Sequence, residues 1–358
     1  MASLFDPVTL GGLHLPNRIV MSPMTRVRSN DLGLATASMA AYYAQRADAG
    51  LIITEGIHPS RVGRSNPGTP GLHTPEQVDS WRQVTTAVHR EGGRIFAQIQ
   101  HAGRISHPDT TGHRPVAPSA VAARGVSVFT PTGSQPAPVP RELSTAEVPI
   151  EAATYASAAQ AAIEAGFDGV ELHGANGYLI GQFLASSANF RTDRYGGSIA
   201  GRIRFAVEAA TATADAVGAD RVGLRLSPGA GLGDAIDAEV SELYAALLAE
   251  LAPLGLAYVH LTAGTADEVL VGLRRAWRGT LIVNPSTYGA PAPAGRADAD
   301  RWLAHGADLI SFGRAFLANP DLVGRLRANL PLTTADEATF YVGGDDGYLT
   351  YPTYAAAD

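Results

Sequence analysis

Short apolar runs recur along the chain, each bounded by glycine, proline or polar residues and each paired with a longer stretch of helical spacing. Val8-Thr9-Leu10 and Leu13-His14-Leu15, joined by Gly11-Gly12, predict a hairpin. Residues 19–21 read as a first buried strand, followed by an alanine-rich helix over 35–49. Residues 51–54 form the second, ending in Glu55-Gly56, and a helix over 75–90 follows with Thr74 as N-cap and Pro75 in its first turn. The remaining strands fall at 94–98, 169–173, 222–226, 258–262, 281–283 and 308–311. Between and after them come helices at 149–165, 202–217, 238–251, 266–277, 297–304 and 321–329. Eight such alternations predict an α/β fold: one closed eight-stranded (β/α) TIM barrel over residues 1–358, its lower end capped by the hairpin.

Two stretches break the alternation. Residues 103–147, rich in Pro, Gly, Ser and Thr, leave the carboxyl end of the third strand. Loops of that length usually carry function or are disordered, and this one is expected to be an irregular lid or wall over the site. The Gly- and Tyr-rich tail, 340–354, is expected to fold back over the mouth, with 355–358 frayed.

Composition narrows the chemistry. Lys+Arg total 27 against 34 Asp+Glu, a net charge of −7, and no basic block occurs. Nucleic acid and anionic membranes are therefore poor partners. Cysteine is absent, which removes disulfides, thiolate metal sites, iron–sulfur clusters and a catalytic thiol together. The first residues show no signal-peptide pattern and no apolar run has membrane-spanning length. A soluble, cytoplasmic monomer or homodimer is expected.

The densest chemistry is His173-Gly174-Ala175-Asn176-Gly177-Tyr178, at the carboxyl end of the fourth strand, where barrels place their active sites. His173 and Asn176 can share one side of the turn, with Tyr178 on the loop or first helical turn beyond. Two neutral hydrogen-bonding groups beside a phenol suit gripping a substrate oxygen and delivering a proton, with no nucleophile required. A histidine at a strand end is also a common structural residue, and Asn176 and Tyr178 suit an ordinary turn. The other strand ends decide. Thr25, Gln98, Arg225, Asn284 and Arg314 stand at or just past them. Together they suit a planar, hydrogen-bonding cofactor with a phosphate. Gln98 offers donor and acceptor at a pyrimidine-like edge, and Arg225 offers a fixed cation. Asn284-Pro285-Ser286-Thr287 and Phe312-Gly313-Arg314 follow the seventh and eighth strands, where barrels often bind phosphate. Gly229-Ala230-Gly231-Leu232-Gly233 lacks dinucleotide-binding spacing and reads as a flexible loop. His101, His107 and His113 match no familiar ligand pattern, and no metal is expected.

His173 to Leu179, Gln182-Phe183-Leu184 and Asn189 to Ser198 resemble the signature of the old yellow enzyme family. So do Asn17 to Arg26, Gln98 to His107, and Ser311 to Arg314 with Asn319-Pro320-Asp321-Leu322, in the right order over nearly the whole chain. The resemblance implies an FMN-containing ene-reductase on a (β/α) barrel, reduced by NADPH or NADH and acting on small activated alkenes such as α,β-unsaturated aldehydes and ketones. It implies that Pro23, Met24 and Thr25 lie against the flavin, with Thr25 on O4, and that Gly56 lets the backbone approach the ring. Gln98 would bind the pyrimidine edge, Arg225 would sit against N1 and O2, and Ser286, Thr287, Gly313 and Arg314 would hold the phosphate. His173 and Asn176 would bind the substrate oxygen, hydride would pass to the β-carbon, and Tyr178, a phenol of ordinary pKa about 10, would protonate the α-carbon. Tyr351 resembles a family tyrosine of the substrate pocket. Thr25, rather than cysteine, resembles the yeast and enterobacterial branch more than the thermophilic-like one.

The chain departs from the family pattern in places. Gln100 stands where Trp is frequent, and Arg64 near where Tyr is, so a less aromatic, roomier pocket is expected. Pro285 has no N–H to offer a phosphate, and Gly201 stands where Asn is usual. Besides enone reduction, the residues leave open a nitro-compound, nitrate-ester or quinone reductase on the same fold. A flavin-binding protein without turnover is a further alternative, although it would need none of His173, Asn176 and Tyr178. A flavin-free hydrolase would need paired carboxylates that the strand ends lack.

Overall fold

Val20, Leu51, Ile53, Phe96, Tyr258, Ile282 and Leu309 share one buried cluster with Leu10 and Leu15 of the amino-terminal hairpin. They come together because eight parallel strands close on themselves in chain order: Ile19–Met21, Leu51–Ile57, Ile95–Ile99, Gly169–Gly174, Val222–Leu226, Tyr258–Thr262, Leu281–Asn284 and Leu309–Phe312. The eighth pairs with the first through Ile310 and Ile19, which completes the ring. Strands covered on both faces must be nearly continuous apolar runs, as these are. The hairpin, Val8–Leu10 with Leu13–Leu15, seals the lower end as expected. Phe96 and Tyr258 fill the interior there, their ring centroids 5.9 Å apart. Both rings depend on glycine: a Cβ at Gly169 would lie 2.4 Å from Phe96, and one at Gly223 would lie 2.2 Å from Tyr258. The computed structural model describes residues 3–285 and 292–354.

Helices alternate with the strands outside the ring, close to their expected places. Pro75–Arg90 begins as predicted, with Thr74 Oγ1 accepting from the Gln77 amide and Gln77 reaching back in a capping box. The first helix is shorter than expected, Ala37–Ala44, because Thr36 caps it and Arg46 then turns inward onto the carbonyls of Tyr42, Phe316 and Leu317. Two short helices, Leu179–Leu184 and Arg314–Ala318, escape periodicity because each is buried and apolar on nearly every side.

The segment after the third strand is not irregular. It holds a helical turn, Pro108–Thr111, an antiparallel hairpin, Ser127–Thr130 with Gly133–Pro136, and a short pairing of Val116–Ala117 with Arg141–Glu142. These strands are too short to show a period, but Val128 and Thr130 alternate inward against exposed Ser127 and Phe129. The 229–233 loop is tied down as well: the Arg104 guanidinium donates to the carbonyls of Gly233, at 3.3 Å, and Asp234, at 2.7 Å. Among the described residues no helix is long and apolar enough to cross a membrane.

Candidate active site

Parallel strands present all their carboxyl ends at one mouth, and a cavity of about 760 Å³ occupies it. Pro23, Met24, Thr25, Gln98, His173, Asn176, Tyr178, Arg225, Gly313 and Arg314 border this single space, together with Asn284. Ser286 and Thr287 lie outside the described residues. Two further residues fall elsewhere. Gly56 lies under Gln100, whose Oε1 would stand 2.1 Å from a Cβ at that position. The Tyr351 hydroxyl accepts from the Asp336 amide at 2.8 Å, and it is Tyr341, with Phe340 and Glu337, that reaches the cavity from the tail.

At the fourth strand end, the Ala175 amide donates to His173 Nδ1 at 3.3 Å, which leaves the ring proton on Nε2. Burial, then the Arg225 cation, pushes the His173 pKa well below its ordinary value, so the ring is a neutral donor. Asn176 adopts a left-handed backbone, φ 57°, and its amide donates to Ser227 Oγ at 2.9 Å. Tyr178 sits at the cap position of Leu179–Leu184 with its ring centroid 4.8 Å from that of His173. Its ring meets the cavity, but desolvation pushes the hydroxyl up to about 12, with Tyr341 adding to the shift and Gln100 opposing it.

Beneath the cavity lies a polar layer that joins the expected Gln98, Arg225 and Asn284 to Glu171 and His260, which the sequence pattern did not single out. Gln98 Nε2 donates to Glu171 Oε1 at 2.7 Å, and Glu171 Oε2 lies 2.8 Å from His260 Nδ1. His260 Nε2 lies 2.7 Å from Ser311 Oγ and 3.1 Å from an Arg225 nitrogen. Arg225 also donates to Asn284 Oδ1 at 2.9 Å, and Asn284 Nδ2 is held by the Ser311 carbonyl at 2.9 Å. Strand alternation carried the signal. Glu171 is two residues before His173 and so shares its side, while His260 is a lone polar residue flanked by Val259 and Leu261.

The walls come from the two segments expected to cover the mouth. Phe129 of the hairpin and Tyr341 of the tail approach with ring centroids 6.4 Å apart. Arg26 and Arg28 anchor the tail. Arg26 donates to the carbonyls of Thr339, Phe340 and Gly347, and Arg28 to those of Thr339, Phe340, Gly344 and Asp346. Buried Glu55 accepts from the Arg26 amide at 3.3 Å, and burial pushes its carboxyl up to about 7. Arg64 points away from the cavity onto the Asn66 and Asp31 carbonyls, whereas Gln100 borders it and donates to Ser65 Oγ. The three loop histidines have separate surroundings: His101 faces Glu151, His107 caps the turn at Asp109, and the His113 backbone pairs with the Thr111 hydroxyl.

Three kinds of likeness accompany this geometry. The model of the NADH:flavin oxidoreductase / NADH oxidase family matches residues 3–333. A probable flavin mononucleotide-dependent alkene reductase of Leishmania infantum is 41% identical over 359 residues, covering 98% of this chain and 97% of that protein. The 12-oxophytodienoate reductase 1 of Oryza sativa subsp. japonica is 39% identical over 356 residues, covering 98% and 92%. Morphinone reductase in complex with tetrahydroNAD superposes with a TM-score of 0.94 at 42% identity over 99% of both chains.

Proposed function

The chain belongs to the NADH:flavin oxidoreductase / NADH oxidase family, an FMN-dependent group of old yellow enzyme type, and we propose that it reduces the C=C bond of small α,β-unsaturated carbonyl compounds at the expense of NADPH or NADH. The donor set suits a flavin ring. Arg225 Nε–H is buried with no partner among the described residues, so the floor holds a cation with a free donor. Gln98 adds an amide beside it, and Arg314 adds a second cation on the same cavity for a phosphate. Pro23, Met24, Thr25, Gln98 and Arg225 would hold the ring, with Gly313 and Arg314 at the phosphate. When bound, FMN supplies the hydride that reaches the β-carbon.

One observation carries the proposal: a neutral histidine donor and a fully protonated phenol stand 4.8 Å apart, ring to ring, over that floor. His173 Nε2–H and the Asn176 side-chain amide bind the substrate's carbonyl oxygen and draw electron density toward it, which leaves the β-carbon electrophilic. Tyr178 then gives its proton to the α-carbon.

The test is the anaerobic absorbance spectrum of the purified protein, first with NADPH and then with 2-cyclohexenone. Bleaching of a yellow band followed by its recovery is expected. Bleaching without recovery on enones, but with recovery on nitro compounds or quinones, would overturn the substrate class. No yellow band after reconstitution with FMN would overturn the cofactor.

A further inference from the structure

We propose that Glu171 is a positioning residue that sets the charge balance of the flavin floor: its carboxylate, sealed in the barrel interior, pins Gln98 and offsets the Arg225 cation. The inference rests on the flavin reading above. Glu171 lies in register with Gln98 on one side and Gly223 on the other, and its side chain is completely buried. Its two oxygens divide the work. Oε1 accepts a hydrogen bond from Gln98 Nε2 at 2.7 Å, so that amide cannot turn over, and the Gln98 carbonyl oxygen, with no hydrogen bond among the described residues, is left for the cavity. Oε2 accepts a hydrogen bond from His260 Nδ1–H at 2.8 Å, which commits His260 Nε2 to accept from Ser311 Oγ at 2.7 Å.

The layer therefore contains one anion, Glu171, and one cation, Arg225, with His260 between them. Burial raises a carboxyl, but His260, Arg225 and Gln98 together hold Glu171 below its ordinary value. Burial and the Arg225 cation push His260 down to about 4, so it is neutral and passes no charge. The floor thus nets to zero. Charges sealed in a barrel are little screened by salt, and a bound ring that gains negative charge on reduction senses their sum. Without the carboxylate, Arg225 would act alone and favour the reduced ring. Glu171 keeps the flavin easier to oxidise, which favours hydride delivery to an alkene.

Glu171→Gln tests this without changing shape. The new amide can accept from Gln98 and donate to His260, which then turns its Nε2 proton toward Ser311 and gives up the hydrogen bond from Arg225 at that nitrogen. The measurement is the midpoint potential of the bound flavin against a reference dye, alongside flavin stoichiometry and thermal midpoint. Holoprotein is expected to form, with the two-electron equilibrium shifted at least tenfold toward the reduced form, about 30 mV for such a couple. NADPH should reduce it faster, and enones should reoxidise it more slowly. Glu171→Asp, which keeps the charge, is expected to lie within twofold of wild type. A yellow Glu171→Gln protein at the wild-type potential would overturn the inference and leave the flavin reading intact. Should Glu171→Gln fail to retain flavin, a tenfold shift in Glu171→Asp would overturn it instead. Wild type that binds no FMN overturns the flavin reading itself.

Discussion

The Ala175 amide donates to His173 Nδ1 at 3.3 Å, and this one bond decides what the histidine can do. It fixes the tautomer, so Nε2–H is the only donor the ring can aim at a ligand. His173→Ala is expected to retain FMN and to bind phenols and enones about tenfold more weakly, the worth of roughly one good hydrogen bond. Because burial and Arg225 hold the imidazole neutral, wild-type binding should show no inflection near the ordinary histidine value of about 6.5. Absorbance titration of the bound flavin with a phenol, from acid to neutral pH, reads both outcomes. Apoprotein from His173→Ala would place the residue in the flavin site instead.

Tyr178→Phe separates the two half-reactions. Reduction by NADPH should be unchanged, while reoxidation by an enone should slow by roughly 10²–10⁴-fold, the usual worth of a positioned proton donor. The wild-type reoxidation rate should also hold through pH 10, where a free phenol ionises, because the Tyr178 hydroxyl is pushed up to about 12. Rapid-mixing kinetics across pH measures this. A wild-type rate that halves near pH 10, or a Phe variant at full speed, would remove Tyr178 from the donor role.

Glu55 makes stability depend on pH. Its carboxyl ionises near 4.5 in the unfolded chain but only at about 7 in the folded one. Between those values the folded state holds the extra proton, so stability falls as pH rises from 4.5 and levels off above 7. The full difference is on the order of 3 kcal/mol. Glu55→Gln removes the titrating group. Its stability relative to wild type should therefore improve steadily across that window and stay constant above it. Denaturant unfolding of both proteins at several pH values checks the slope, and parallel curves would show that Glu55 does not carry the dependence.

The barrel was legible because parallel strands buried on both faces are apolar runs that need no period to be seen, bounded by glycine, proline or polar residues. Thr74 was legible as the N-cap ahead of Pro75, and the structure adds the reciprocal bond from Gln77. The upper rim was legible for a related reason: a polar residue near the carboxyl end of an apolar run, such as Gln98 or Arg225, each one residue before its strand's last, stands out. Glu171 and His260 did not, because they sit inside their runs, and their worth lies in partners on other strands 73 to 89 residues away. Tyr341 was missed in favour of Tyr351 because both lie in one aromatic tail. Which of them enters the cavity depends on how Arg26 and Arg28 tether its backbone, a tertiary matter that local spacing does not encode.

That tether yields the last prediction. Arg28 is buried, its guanidinium 4.8 Å from the centre of the Tyr348 ring, with donors on the carbonyls of Thr339, Phe340 and Gly344 at 3.0 to 3.1 Å. An intramolecular hydrogen bond contributes about 0.5–1.5 kcal/mol, and Arg26 still partners the Thr339 and Phe340 carbonyls, so Arg28→Ala should lose about 2 kcal/mol from its several bonds and its contact with Tyr348. The loss falls on a segment that also forms the cavity wall, because Phe340 and Tyr341 lie between the tethered carbonyls. Substrate affinity should therefore drop with stability, while FMN, whose proposed contacts lie at the strand ends, should stay bound. Arg28→Lys should recover little, since an ammonium lacks the planar fork that reaches several carbonyls at once. Limited proteolysis locates the effect: new cuts are expected within residues 337–348 of the Ala variant, and protection of that segment equal to wild type would show that Arg26 alone suffices to hold it.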